Sequence, residues 1–420
     1  MNYSKKVLPN GLRIVTIPVA DAASTTFMVM SDTGSKFEKK EERGLAHFLE
    51  HMVFKGTKNR PTSFAITKEL DGIGAHYNAF TSHEYTGYYA KVAPEFLDTA
   101  ISVVSDIYLN PLFDAKEIEK EKGVIIEEMR MYRDLPQQNI QYLFLELLYG
   151  DTPVGRHLIG TESTINSFNR DNFVNYFAQK YTPAHAIVVI SGKFDNAAVE
   201  KVEKIFGDVP TKERSTKEPV VEAQIVPALK ILEKDTDQTH LVLGFRSFGA
   251  THDNTAIRML SGILSAGMSS RLFMKLREEM GVGYYVHAAN DVYTDHGVFA
   301  ISAGVDSKRL NEVISVLLEE CRKLKTDLVD GEELERTKNN IIGSTSLSLE
   351  SSDAQAEFVV IQEILKGKID TFADMEKKIR AITAEDIRKV AQEIFTEKNL
   401  NLAIVGKGYQ SDTILPLLKV

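Results

Sequence analysis

Two periodicities alternate along the chain. Short runs such as Phe27-Met28-Val29-Met30 and Ala300-Ile301-Ser302-Ala303 read with period 2, as strands that turn one face to a core. Longer runs place apolar residues every three or four positions, as amphipathic helices do. One such pattern occurs twice. Residues 165–194 and 379–408 each read as a capped amphipathic helix, an aromatic-Thr turn and a buried strand ending in Gly-Lys. The helix caps fall at Asn169 and Thr383, a constant offset of 214. Tyr85 to Val104 and Tyr293 to Leu317 form a second pair, a strand passing into a helix. Helices opening near Glu117 and Glu332 form a third. The chain therefore reads as two copies of one unit, 1–210 and 211–420. They are joined through the charged, aperiodic stretch Pro210–Pro219. Period-2 strands mixed with helices predict an α+β fold, with an antiparallel sheet in each half and helices packed on one face.

Composition narrows the class. A length of 420 residues exceeds what one hydrophobic core serves, in keeping with two halves. A formal charge of -9 gives no basic stripe for nucleic acid, so no nucleic-acid partner is expected. Cys321 is the single cysteine, which excludes an intrachain disulfide. No run of 18 apolar residues exists, and none follows the N-terminal Met1-Asn2-Tyr3. Neither a membrane span nor a signal peptide is expected, and the chain reads as soluble and cytoplasmic.

The chemistry-bearing residues lie in the first copy. His47-Phe48-Leu49-Glu50-His51 places two imidazoles four residues apart, on one face of a helix that ends before Gly56. Leu45, Leu49, Met52 and Val53 fall on the opposite, core-facing side. Two nitrogens make an incomplete set for a catalytic zinc, which takes three protein ligands and keeps one position for water. The acidic helix from Ala115 to about Tyr132 is the natural donor. It opens on an Asp114/Glu117 capping box and carries Glu121 and Glu128 two turns apart. Glu128 is the expected third ligand, Glu127 the alternative, and Glu121 a residue that orients a histidine or the water. In the second copy Thr337 and Ser344 stand opposite Glu121 and Glu128, and no His-x-x-Glu-His occurs there. The ligand set is thus absent as a group from one copy. With Glu50 as general base, these residue types point to metal-assisted hydrolysis. One Zn2+ per chain is expected, although a His/His/Glu set also accepts Mn or Co.

The stretch Gly44-Leu45-Ala46-His47-Phe48-Leu49-Glu50-His51-Met52-Val53-Phe54-Lys55-Gly56-Thr57 resembles the inverted zinc motif of the insulinase/pitrilysin metallopeptidases. Among these it is most similar to the mitochondrial processing peptidase and its small bacterial relatives. The likeness extends to Asn78–Ser82, to Glu119–Glu128 and to the 76 residues between His51 and Glu128. It implies two α/β-roll halves and a zinc endopeptidase whose homodimer encloses a chamber. Peptide would bind there as an added strand along Asn78, Ala79, Phe80 and Thr81. It also implies that Arg277 and Tyr284 hold the substrate backbone and assist catalysis, with Glu50 and Glu121. A non-catalytic scaffold of the same fold is the alternative. His83 could tune substrate choice or bind nothing. His76, His157, His185, His240, His252, His287 and His296 are expected to be structural, and Tyr85, Tyr88 and Tyr89 to pack in the sheet.

Overall fold

The computed structural model describes residues 1–420. Eleven strands form two sheets. The first contains β1 (Ser4–Val7), β2 (Arg13–Pro18), β3 (Thr25–Ser31), β4 (His76–Thr81), β5 (Thr86–Val92) and β6 (Ala186–Gly192), in the order β1-β2-β6-β3-β5-β4. The second contains β7 (Ala228–Glu233), β8 (Thr239–Ser247), β9 (Gly283–Val292), β10 (Gly297–Val305) and β11 (Leu400–Gly406), in the order β7-β11-β8-β10-β9. Without β1 the two orders are the same. The internal repeat is thus a repeat of topology, with β6 and β11 as the equivalent strands. Each sheet is antiparallel except for one parallel pair, β2 with β6 and β7 with β11.

The chain forms two compact units, each drawn from three segments. The first comprises Met1–Arg130, Arg156–Glu218 and Ser348–Thr371. The second comprises Met131–Gly155, Pro219–Leu347 and Phe372–Val420. A division at 210/211 is therefore crossed twice by exchanged helices. The helix Ser352–Lys366, encoded in the second copy, packs Ala356, Val359, Val360 and Ile364 on Val15, Ile17, Met28, Met30, Ile187 and Val189 of the first sheet. The helix Pro136–Tyr149, encoded in the first copy, packs Ile140, Leu143, Phe144 and Leu148 on Val242, Val298, Ala403 and Val405 of the second.

The reason is legible in the central strands. All seven residues of β3, of β6 and of β11 are buried. Runs such as Ala186-Ile187-Val188-Val189-Ile190 are apolar at consecutive positions, so both faces need cover. Each sheet has its own helical layer on one face: Leu97–Leu109 against β3 and β5, for example. The exchanged helix covers the other. Each fully buried valine or isoleucine there contributes roughly 1.5–3 kcal/mol relative to exposure.

The joining stretch has no regular structure, but it is tied to the first unit. Arg214 pairs with buried Asp32, Ser215 with buried His185, and Lys217 with buried Glu84. No helix in the chain is long and apolar enough to cross a membrane.

Candidate metal centre

The helix Leu45–Met52 buries Leu45, Ala46, Phe48, Leu49 and Met52 and turns His47, Glu50 and His51 to one side. Its start is fixed by backbone crowding. Gly44 adopts φ 93, and a Cβ there would lie 2.3 Å from the carbonyl oxygen of Ile159, so only glycine fits. Glycine offers no capping side chain. The buried Glu38 carboxyl does that work from outside the helix, accepting the N–H groups of Gly44 at 3.0 Å and Ala46 at 2.7 Å. Burial, together with the nearby Glu42, outweighs those hydrogen bonds and pushes the Glu38 carboxyl up to about 8.

The helix Ala115–Asp134 brings its carboxylates to the two imidazoles. Glu128 Oε2 lies 3.7 Å from His47 Nε2 and 3.6 Å from His51 Nε2. The three ligand atoms all fall within 4.8 Å of one another, so this group could hold a metal ion. Two imidazole nitrogens and one carboxylate oxygen are a donor set that suits zinc. Glu127 points elsewhere: its side chain is 70% exposed and pairs with Arg130 at 2.6 Å.

The surroundings favour ligation. Burial, reinforced by His51 and His157, lowers His47 to about 3, which keeps its imidazole neutral at pH 7. His51 Nδ1 lies 3.0 Å from Glu121 Oε1, which leaves Nε2 toward Glu128. The other oxygen of Glu121 receives Lys55 Nζ at 2.6 Å. Burial raises the Glu121 carboxyl, but hydrogen bonds from His51 and Lys55 outweigh it and hold the carboxyl below its usual range. Glu128 is raised by burial and by Glu121. Glu50 is raised chiefly by burial, against a hydrogen bond from Thr81.

Asn78, Ala79, Phe80 and Thr81 belong to β4, an edge strand paired only with β5. The Ala79 N–H is met by the side-chain oxygen of Asn78 at 2.9 Å. Phe80 packs toward the exchanged helix, with room made by Gly87, where a Cβ would lie 2.5 Å from its ring. Arg277 and Tyr284 come together within the second unit. Arg277, on a π-helical turn, donates Nη1 to the carbonyls of Gly283 at 3.0 Å and Tyr284 at 3.3 Å. The Tyr284 ring is 57% exposed on β9. Away from the cluster, His83 bonds Ser35, His185 bonds Asp32, His240 bonds Tyr285 and His296 bonds Asp295. Tyr88 is buried against Tyr181, and Tyr85 and Tyr89 pack beside the exchanged helix.

Two participants, Lys55 and Glu38, and one contact, that of Thr81 with Glu50, escape sequence reasoning. Lys55 had a signal, since it follows His51 by four residues on the same helical face. The contacts of Glu38 with the helix start and of Thr81 with Glu50 had none, because nothing local relates those positions.

Fold and site together define a two-sheet protein of repeated topology with one His/His/Glu cluster. Comparison with known proteins supplies the family. Residues 13–162 match the description "Insulinase (Peptidase family M16)" and residues 167–341 match "Peptidase M16 inactive domain". A Bacillus subtilis protein described as an uncharacterized zinc protease is 35% identical over 92% of this chain and 94% of its own length. A Rickettsia bellii protein with the same description is 33% identical over 96% and 98%. The chain belongs to the insulinase family, peptidase family M16. Two solved structures share the fold. A protease from Helicobacter pylori has a TM-score of 0.89 at 23% identity, covering 96% of this chain and 99% of that one. A putative M16-like peptidase from Alicyclobacillus acidocaldarius has 0.83 at 22%, covering 97% and 98%.

Proposed function

We propose that this chain is a zinc-dependent endopeptidase that hydrolyses unfolded peptides bound as an added strand along β4. The observation that carries the reading is the convergence of His47, His51 and Glu128, with Glu50 beside them and hydrogen-bonded to the edge strand. Zinc, when bound, supplies the acidity that activates a water and the charge that stabilises the oxyanion. His47, His51 and Glu128 would hold it, and Glu121 fixes the orientation of His51. Glu50 takes the proton from the attacking water and delivers it to the leaving amine. The free edge of β4 binds a peptide main chain whatever its side chains, which selects for extended, unfolded segments. Arg277 and Tyr284 are the proposed contacts of the second unit to the substrate backbone. Because one chain carries both sets of residues, a cytoplasmic homodimer with two complete sites is the proposed assembly. Sedimentation of the purified chain tests that part.

The central test joins metal analysis to a library of unstructured peptides. One zinc per chain is expected, with cleavage lost on chelation. Glu50→Gln should keep the zinc and lower kcat by about 10²–10⁴-fold. Full activity in that variant would remove Glu50 from its role. A zinc-bound chain that cleaves nothing would favour a scaffold.

A further inference from the structure

Glu50 has the flexibility of any glutamate, and its carboxylate must stay in one orientation to act as a base. The helix alone does not fix it. What meets it is Thr81 on β4, whose Oγ1–H donates to Glu50 Oε2 at 2.5 Å, the range of a charge-assisted O–H···O⁻ bond. Thr81 is itself tied into the sheet. It pairs with Thr86 in the β4–β5 ladder, and the next residue, Ser82, donates its N–H to the Tyr85 carbonyl at 2.8 Å. The Ser82 carbonyl in turn receives the N–H of Ser35 at 3.2 Å. The branched side chain adds restricted χ1 freedom.

We infer that Thr81 is a positioning residue. Its hydroxyl holds Oε2 of Glu50, so that Oε1 remains free to receive the proton, and it ties the base to the strand that binds substrate. The inference rests on the reading of Glu50 as base. Rotation of an unheld carboxylate by about an ångström is enough to cost up to roughly a hundredfold in rate. Substrate affinity is a property of the β4 main chain, which the hydroxyl does not alter.

The test compares Thr81→Val, which keeps the shape and removes the hydroxyl, with Thr81→Ser, which restores it. Melting temperature and zinc per chain are measured on both, together with kcat and KM on an unstructured fluorogenic peptide. Thr81→Val should lower kcat about tenfold to a hundredfold. KM should stay within about twofold and zinc should be unchanged. Thr81→Ser should recover most of the loss. In a Glu50→Gln background, Thr81→Val should cost nothing further in rate and leave peptide affinity as it was. Wild-type kcat in Thr81→Val overturns the inference, as does an equal loss in Thr81→Ser or an added loss in the Glu50→Gln background. If the valine variant melts early, Thr81→Ala against Thr81→Ser makes the same comparison. A wild-type chain that binds zinc but cleaves no peptide removes the base, and Thr81's role with it. That result is distinct from an active wild type matched by a fully active Thr81→Val.

Discussion

At the scale of residues, the carboxylates of the first unit divide their work by environment. Glu121 has both oxygens engaged, by His51 and Lys55, and its carboxyl stays ionised. Its contribution is to hold one imidazole in place, so Glu121→Gln is expected to weaken zinc binding about 10–100-fold, read by competition with a calibrated chelator. Glu38 works on the helix that carries the histidines. Its carboxyl is raised to about 8, against 4.5 when exposed. The folded chain therefore holds that proton more tightly than the unfolded chain. The stabilisation is complete below about pH 4.5 and is lost as the pH rises through 8. Denaturant unfolding between pH 5 and 8 should show wild-type stability falling relative to Glu38→Gln, by on the order of a few kcal/mol in all. A parallel pH dependence in the two proteins would mean that Glu38 keeps an ordinary pKa.

At the scale of elements, the two exchanged helices each pack on the central strands of a sheet encoded mainly by the other copy. Phe144 on the helix Pro136–Tyr149 is 2% exposed and fills a space on the second sheet that exists because position 244 is glycine. A Cβ on Gly244 would lie 2.6 Å from the Phe144 ring. Phe144→Ala should cost about 3–5 kcal/mol in denaturant unfolding. Many individual elements were legible in advance. Asn169 and Thr383 cap helices, each with its side chain accepting a first-turn N–H. The acidic helix expected from Ala115 to about Tyr132 runs Ala115–Asp134. Leu45, Leu49, Met52 and Val53 are all buried, as their helical spacing required. The parallel β2–β6 and β7–β11 pairs were not legible, because strand direction is decided by which distant segment pairs, and period 2 reads the same either way.

At the scale of the whole molecule, the exchange of helices bears on how the halves can be separated. A fragment of residues 1–210 includes the first sheet but lacks Ser352–Lys366. Met28, Met30, Ile187 and Val189 would then face water. Expressed alone, it should bind hydrophobic dye and lack a near-UV circular dichroism signal, unlike the full chain. A fragment with native-like cooperative unfolding would contradict this.

The sequence by itself determined what depends on neighbours along the chain: the repeat, the strand and helix periods, and the shared face of His47, Glu50 and His51. Tertiary structure decided what depends on distance through space. It placed Glu128 rather than Glu127 beside the imidazoles and set Thr81 against Glu50. It also gave each sheet a helix from the other copy. The physical reason is that periodicity fixes the direction of a side chain relative to its own element. Which element stands opposite is settled only when every apolar face has found cover.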